Sequence, residues 1–434
     1  MSQVNGKFDR IRLPMSRQRR FIVVTCGSMG DVHPFLGLAV ALKSRGHRVS
    51  FLTNEVFRDM ATQAGLDFHP IGTLLDVQSA LNNPDLWHPR KGLAVVWHSC
   101  ATVQKPIVEF IASQPDAAEA VVIAHPLALP GASTARDRIG GLKLVTAWLA
   151  PANLRTCHDP MLLGPLRIPR WVPYGMRRWL WQRVDADILD PLTLPDINAL
   201  RADYGLDPVK NYATLLYEAA DFGVTLFPAW FDGTPPDWPV NLLRGEFLLF
   251  DGFAEQTFSD ELQQFLDAGD PPIVFTFGSA MQHAGKAFKA ALDACQQLQR
   301  RAIFLTLFPA QLPAHLPPGV KWFEYVPFCK LLPHVAAVVH HGGIGSTAEA
   351  LRAGLPQIVV PMAFDQFDNA ARVEAMGVGF GLPQARLNRR SLRRRLAMLL
   401  GSESILENCR RAAAYFNNPD PSRLVAEMIE DRLG

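Results

Sequence analysis

Residues 338–366 read VVHHGGIGSTAEALRAGLPQIVVPMAFDQ, and the prediction of the fold starts from this stretch. Residues 335–339 form a short apolar run that is typical of a buried strand. Residues 346–353 are good helix formers, and a Gly-Leu-Pro sequence then predicts the end of the helix. Residues 357–360 predict a second strand. The stretch therefore predicts a strand, a glycine-rich turn, a helix and a further strand.

The turn of this unit suits an anionic ligand. Gly343 and Gly345 let the backbone approach closely, and the free N–H groups at a helix start favour phosphate. Ser346 adds a hydroxyl donor, His341 can reach a phosphate oxygen, and Glu349 can accept hydrogen bonds from two ribose hydroxyls. For the His-Gly-Gly-x-Gly pattern alone, an ordinary turn with glycines for packing is an equal alternative.

The full string resembles the donor-binding signature of the family 1 glycosyltransferases, which transfer sugars from nucleotide diphosphates. The resemblance implies that His341, the glycines and Ser346 hold the diphosphate. It implies that Glu349 holds the ribose, and that Asp365 and Gln366 hold hydroxyls of the sugar.

Upstream of this unit, Tyr325-Val326-Pro327 stands where the family usually has Trp-x-Pro. The resemblance implies that Tyr325 stacks on the base. The family commonly has Gln at the position of Phe328, so base selection stays open. With the Gly-Ser turn of the same domain, the predicted donor-binding residues are Gly278, Ser279, Tyr325, Val326, His341, Gly343, Gly345, Ser346, Glu349, Asp365 and Gln366.

Length and composition set outer limits on the protein. A chain of 434 residues with 48% hydrophobic and 19% charged residues predicts about two well-packed domains. A formal net charge of +2 gives no reason to expect nucleic acid as a partner. The six cysteines form no CxxC pair, which suits a reducing compartment and gives no zinc spacing. No apolar stretch reaches the roughly 18 residues of a membrane span, so we expect a cytoplasmic protein.

The two halves of the chain repeat one pattern of strand, Gly-Ser turn and helix. It occurs first after the apolar run 21–25 and again after the run 273–277. We therefore predict an α/β protein with two facing, doubly wound, Rossmann-like domains, which is the GT-B fold by resemblance, with both turns at the cleft. The predicted parts are a basic lead-in (1–20), an acceptor-binding domain (21–232), a linker (233–256), a nucleotide-sugar-binding domain (257–415) and a C-terminal helix (416–434).

The first turn supplies the candidate bases. Many family members have His in a Gly-His-x-x-Pro pattern, and Asp31 stands at that position here. The same turn resembles the glycopeptide-antibiotic and sterol branches of the family, and also the rhamnosyltransferases of rhamnolipid synthesis. An Asp can act as base if burial raises its pKa. The alternatives are that Asp31 only caps the following helix, or that His33 is the base. His125 follows another predicted strand and is a candidate for the acceptor pocket.

These residues predict an inverting, metal-independent transferase that uses no cofactor beyond its nucleotide-sugar co-substrate. Glu349 favours a UDP-sugar, whereas the rhamnosyltransferase likeness implies dTDP-rhamnose. A non-catalytic nucleotide-sugar binder, or an epimerase-like relative, is the alternative from another class.

The acceptor is predicted to be lipophilic and to be met at a membrane surface. Residues 166–183 set three Trp and one Tyr among five Arg, a mixture that suits the interface of an anionic membrane. This predicts peripheral contact with the inner face of the membrane, to which the arginine cluster at 389–395 can add. The alternative is that these tryptophans pack inward and wall a pocket for a soluble acceptor.

Overall fold

The computed structural model describes residues 17–158, 160–250 and 257–434. Most of the predicted lead-in (1–20) and the last part of the predicted linker (233–256) therefore lie outside the described residues. No helix in the described ranges is both long and apolar enough to cross a bilayer.

Strands occur throughout the described chain, nearly all of them short and apolar. In order they are β1 Arg20–Val24, β2 Arg48–Thr53, β3 Asp67–Pro70, β4 Val121–Ala124, β5 Lys143–Trp148, β6 Met161–Leu163, β7 Leu166–Ile168, β8 Phe222–Thr225, β9 Leu242–Leu243, β10 Ile273–Thr276, β11 Ala302–Leu305, β12 Val320–Phe323, β13 Ala337–His340, β14 Gln357–Val359 and β15 Gly379–Gly381.

Helices alternate with most of these strands, as a parallel sheet requires. In order they are α1 Met29–Ser44, α2 Arg58–Gln63, α3 Leu74–Asn82, α4 Gly92–Ser113, α5 Leu129–Ile139, α6 Tyr174–Val184, α7 Asp190–Asp203, α8 Tyr212–Glu218, α9 Ala229–Asp232, α10 Asp260–Asp267, α11 Gly285–Leu298, α12 Phe328–Leu331, α13 Ile344–Arg352, α14 Gln366–Ala375, α15 Arg389–Leu400, α16 Glu403–Ala413 and α17 Pro421–Leu433.

The first domain is built on a parallel sheet with the strand order β3-β2-β1-β4-β5-β8-β9. β4 is buried along its whole length and β1 from its second residue onward, because helices cover both faces of the sheet. Side chains of α1 and α17 pack on one face, and side chains of α4 and α5 pack on the other. The prediction of a doubly wound domain is confirmed.

The second domain has a parallel sheet with the order β12-β11-β10-β13-β14-β15. Helices α11 and α15 cover one face, and α10 and α12 lie against the other. In both sheets the order of the strands reverses beside the first strand of the domain, between β1 and β4 and between β10 and β13, while all these strands stay parallel. A crevice forms at such a point beyond the carboxyl ends of the strands, and this is where parallel sheets bind ligands.

Three local details differ from the sequence predictions. The predicted linker contains β9, which pairs with β8 and so extends the first sheet. The sequence after Pro34 predicts a helix from about residue 35 to residue 45, but this helix begins earlier in the structure, at Met29, and includes Pro34. The irregular, proline-broken segment after β5 contains an antiparallel hairpin, β6–β7, followed by α6.

The C-terminal helix returns to the first domain. Val425, Ala426 and Ile429 of α17 are buried in the core beside α1. Glu430 of α17 accepts hydrogen bonds from the Arg45 guanidinium at 2.6 and 2.8 Å and lies 2.8 Å from Nε2 of His47. The last helix thus fastens the end of the chain to the domain where the chain begins.

Candidate active site

A cleft of about 810 Å³ lies between the two domains and is lined by residues of both. Residues after the carboxyl ends of β1, β4, β10 and β13 line it, as the crevice rule predicts. Every site residue predicted from the sequence is among the lining residues, although their roles stay predictions. They are Asp31, His33, His125, Gly278, Ser279, Tyr325, Val326, His341, Gly343, Gly345, Ser346, Glu349, Asp365 and Gln366.

His341 lies between two glycines at the centre of the donor side. A Cβ atom added to Gly343 would lie 2.6 Å from its Nε2, and one added to Gly278 would lie 3.1 Å away. These two positions therefore leave the space that the ring fills. Burial lowers the pKa of His341 to about 3, and the neighbouring His340 adds to the effect. Its Nδ1 has no hydrogen-bond partner among the described residues. The ring is neutral and can donate a hydrogen bond to a ligand.

His340, which the sequence analysis did not single out, holds the turn in place. Its Nδ1 accepts a hydrogen bond from the Gly342 N–H at 3.1 Å. Its Nε2 must then carry the proton, and it donates to Oε1 of Gln357 at 2.9 Å. The side chain is fully buried. The two adjacent histidines therefore have different tasks, since His340 orients the backbone and His341 faces the cleft.

The start of α13 is suited to a phosphate. Gly343 is the N-cap residue, and the first turn contains no acidic side chain. The backbone at Gly345 and the hydroxyl of Ser346 line the cleft beside His341. Unpaired N–H groups at a helix start carry partial positive charge and attract an anion.

The groups predicted to hold the nucleoside flank this helix start. Glu349 lies one turn into α13, and one of its oxygens accepts a hydrogen bond from Arg352 at 2.8 Å. This ion pair orients the carboxylate at the wall of the cleft. Tyr325 is 46% exposed and presents a ring on which a base can stack.

The loop between β14 and α14 carries the residues predicted to hold the sugar. Oε1 of Gln366 accepts the N–H groups of Met362 and Ala363 at 2.8 and 3.1 Å, so Gln366 also braces the loop. Asp365 accepts a hydrogen bond from Asn369 at 2.8 Å. Burial and the charge of Asp31 across the cleft raise the pKa of Asp365 to about 7.

On the acceptor side, Asp31 is both a helix cap and a cleft residue. Its Oδ2 accepts hydrogen bonds from the Ser28 N–H at 2.7 Å and the Ser28 hydroxyl at 3.0 Å. Gly27, at φ +128°, makes this possible, because a Cβ atom there would overlap the carboxylate. The side chain is still 36% exposed. Burial raises the pKa of Asp31, although the Ser28 hydrogen bonds oppose the shift. Capping and a role as base are therefore compatible.

Two histidines lie near this carboxylate. Nε2 of His125 is 3.9 Å from Oδ1 of Asp31, and its Nδ1 accepts the Leu127 N–H at 3.1 Å. Burial lowers the pKa of His125 to about 3 and that of His33 to about 4. The ring of His33 packs against Phe250 with a centroid separation of 5.9 Å. Both rings are neutral at physiological pH.

The acceptor half of the cleft has a largely apolar wall that sequence motifs did not reveal. It comes mostly from the region between β2 and the middle of α4, whose apolar lining residues are Val56, Phe57, Met60, Ile71, Val77, Ala80, Leu81, Leu86, Trp87, Leu93, Val96 and Val103. None of residues 160–184 lines the cleft. The tryptophans of that segment therefore do not wall this pocket, contrary to the alternative prediction.

At one edge of this wall the two domains are in contact. The rings of Trp87 and Phe364 meet edge to face, with centroids 5.8 Å apart. A Cβ atom on Gly92 would lie 3.3 Å from the tip of Phe364, so the glycine leaves room for the ring. Phe364 has φ +56°, which is unfavourable for a bulky residue. The strained residue precedes Asp365 and connects the sugar loop to the acceptor wall.

Comparison with known proteins agrees with this architecture. Residues 21–130 match the glycosyltransferase family 28 N-terminal domain, and residues 292–431 match the erythromycin biosynthesis protein CIII-like C-terminal domain. The solved glycosyltransferase of kitacinnamycin superposes with a TM-score of 0.71 at 19% identity, covering 96% of this chain and all of that one. This likeness shows the fold.

Relatives with closer sequences are also transferases. The O-mycaminosyltylonolide 6-deoxyallosyltransferase of Streptomyces fradiae is 30% identical, with 86% of this chain and 88% of the relative aligned. The vancomycin aglycone glucosyltransferase of Amycolatopsis orientalis is 31% identical over 83% and 85%. A sterol 3-beta-glucosyltransferase of Debaryomyces hansenii is 26% identical, over 89% of this chain but only 25% of that protein. With these relatives and this architecture, the chain belongs to the family 1 nucleotide-sugar glycosyltransferases of the GT-B fold.

Proposed function

We propose that this glycosyltransferase moves a hexose from a UDP-sugar to a hydroxyl group of a lipophilic acceptor, with inversion and without a metal ion. The observation that carries the proposal is the division of one cleft into two chemically different halves. The start of α13, which is suited to an anion, lies on one side, and a largely apolar wall with the carboxylate of Asp31 at its edge lies on the other.

The reaction follows from this division. The acceptor oxygen attacks the anomeric carbon, the bond from that carbon to the diphosphate oxygen breaks, and the hydroxyl proton passes to Asp31. A single displacement of this kind inverts the anomeric centre. The leaving diphosphate gains negative charge, which the start of α13, Ser346 and the neutral His341 stabilise by donating hydrogen bonds.

Glu349 supports UDP over dTDP as the nucleotide. Its carboxylate can accept hydrogen bonds from both ribose hydroxyls, and a deoxyribose offers only one of them. The apolar wall supports a lipophilic acceptor, as does the likeness to enzymes named for sterols and for a macrolide. We also propose that the chain works in the cytoplasm and meets this acceptor at a membrane.

A donor screen by thermal shift tests the nucleotide assignment, because a ligand that binds the folded state stabilises it by mass action. We expect UDP-sugars to raise the melting temperature more than dTDP-sugars, and Glu349→Gln to reduce the difference. A larger shift with dTDP-rhamnose would overturn the UDP assignment and favour a glycolipid rhamnosyltransferase.

Product analysis tests the transfer itself. Free UDP should appear only when a hydroxyl acceptor is added, its release should persist in the presence of EDTA, and the glycoside should carry the inverted anomer. UDP binding without turnover on any lipophilic alcohol would instead indicate a non-catalytic nucleotide-sugar binder.

A further inference from the structure

The hairpin β6–β7 and helix α6 lie within residues 161–184. This segment exposes five large apolar side chains to solvent. Trp171 is 81% exposed, and four neighbours in the chain are between 51% and 60% exposed. These four are Leu166, Tyr174, Met176 and Trp179. Isolated exposed apolar residues are ordinary on protein surfaces, but five large ones between residues 166 and 179 of the chain make this segment a candidate interaction site. We call residues 161–184 the docking element.

The exposed group is held in place from beneath. Arg177, which is buried, donates hydrogen bonds to the carbonyl oxygens of Cys157, Pro169 and Val172 at distances between 2.7 and 3.0 Å. Trp181 donates from its Nε1 to the carbonyl of Thr156 at 3.0 Å. One arginine and one tryptophan of the segment are thus structural. The remaining aromatic residues are presented outward from a fixed scaffold.

The charge of the docking element has one sign. No Asp or Glu occurs between residues 160 and 184, although Asp159 and Asp185 border this range, and Arg178 is exposed. Two of the exposed large side chains are tryptophans, which favour the boundary between water and hydrocarbon. Cationic side chains add attraction to anionic head groups. Aromatic and cationic residues together therefore match an anionic bilayer surface.

The docking element is also close in the chain to the cleft. Asn153 lines the cleft, and β6 begins eight residues later at Met161. Eight residues of chain span at most about 28 Å. An enzyme held by this element would have its acceptor half near the surface in which a lipophilic acceptor resides.

We propose that the docking element binds the surface of an anionic membrane and that Trp171 and Trp179 are its anchors. Membrane binding itself does not depend on the proposed function. Its purpose does rest on the proposed function, because the membrane would bring the enzyme to a lipophilic acceptor. A protein partner or a second copy of the chain is the competing occupant.

Vesicle co-sedimentation of the full chain tests the proposal. We expect binding to vesicles of phosphatidylcholine with 30% phosphatidylglycerol, weaker binding to pure phosphatidylcholine, and a steep loss with added salt. The double variant Trp171→Ser, Trp179→Ser should bind at least tenfold more weakly, and Arg178→Ser should bind more weakly with a smaller dependence on salt. Met398→Ser is the matched control, because Met398 is 51% exposed beside the arginines of α15. This control should bind like the wild type.

Transfer to a water-soluble acceptor separates this proposal from the proposed function. The tryptophan double variant should keep that activity and its melting temperature while losing vesicle binding. Unchanged vesicle binding in the double variant, or none in the wild type at low salt, would overturn the docking proposal. Concentration-dependent dimers that the same two substitutions abolish, without vesicle binding, would assign the surface to self-association instead. Loss of transfer in every assay would count against the proposed function and leave the vesicle result standing.

Discussion

The acceptor turn between β1 and α1 and the donor turn between β13 and α13 share a local fold but present opposite electrostatics to the cleft. Each follows a buried parallel strand and leads into a helix whose start lies at the cleft. In the acceptor turn, the first helical turn contains Asp31, whose carboxylate accepts the N–H of Ser28. In the donor turn, the first helical turn contains no acidic residue.

An acidic side chain in the first helical turn therefore determines whether the helix start can attract a further anion. A helix N-terminus attracts one anion strongly within its first turn. Asp31 fills that place in the acceptor turn, which disfavours a phosphate there and leaves a carboxylate at the cleft, where we propose that it accepts the proton. The donor turn leaves the place open, which suits the diphosphate. In the proposed mechanism, the same strand–turn–helix unit thus supplies the base in one domain and the diphosphate site in the other.

The largest expected effect comes from neutralising the acceptor turn. Asp31→Asn should lower kcat/KM by about 10²–10⁴, which is the usual contribution of a general base. The affinity for UDP should stay nearly unchanged, because the donor turn keeps all its donors. Steady-state kinetics and UDP titration of the same variant measure the two quantities.

His33→Ala is the competing variant for this prediction. His33 lines the same cleft but packs against Phe250 as a neutral ring. If Asp31→Asn retains full activity while His33→Ala is inactive, the base is His33, and Asp31 serves only the helix cap.

In the donor turn, removing the ring of His341 should weaken nucleotide binding. A hydrogen bond to a charged group contributes roughly 1.5–3 kcal/mol, which corresponds to a change of about 10–100-fold in affinity. We expect His341→Ala to raise the Kd for UDP within this range, measured by calorimetry. The Km for the acceptor should change little, since the acceptor wall is on the other domain. Equal weakening of acceptor and nucleotide would contradict a role confined to the diphosphate.

A smaller effect is expected where the two halves touch. Trp87 of the acceptor wall meets Phe364 of the sugar loop edge to face, and such pairs contribute about 0.5–1.5 kcal/mol. Trp87→Ala and Phe364→Ala should each raise the acceptor Km by roughly threefold to tenfold. A double-mutant cycle should show that the two effects are not additive. Additive effects would mean that the rings act separately on the substrate.

Motifs in the sequence located residues that line the donor half of the cleft, whose roles stay predictions, but gave no signal for the acceptor wall, and the reason is physical. Phosphate binding needs glycines and a helix start at fixed spacing, and this spacing is readable in residues 341–346. The acceptor wall needs only apolar volume, which many arrangements supply, so residues such as Trp87 carry no local signal. The contact of Trp87 with Phe364 depends on how the domains face each other, and the role of His340 rests on its hydrogen bonds with Gly342 and Gln357, which no sequence motif indicates. The β9 strand was missed because two residues are too short to show a period.

The smallest predicted effect concerns His125. Substituting this residue tests whether it adjusts the ionisation of the proposed base, Asp31, without being the base itself. Because its Nδ1 accepts the Leu127 N–H, its Nε2 carries the proton and points its dipole at Oδ1 of Asp31 from 3.9 Å. That dipole favours the ionised carboxylate and opposes the effect of burial, which raises the pKa of Asp31. The other titratable groups that interact with this carboxylate are Cys26 and, from the second domain, Asp365.

As base, Asp31 must be ionised, so kcat/KM falls as the pH drops through its pKa. Removing the His125 dipole should raise that pKa and move the acid limb of the profile to higher pH. At 3.9 Å a neutral donor contributes less than a full hydrogen bond, so we expect only a small shift of the acid limb in His125→Ala. In His125→Asn the side-chain oxygen can still accept the Leu127 N–H. This variant therefore keeps the helix cap but removes the imidazole N–H that faces Asp31. A pH-independent loss of kcat in both variants would instead make His125 part of the acceptor pocket alone.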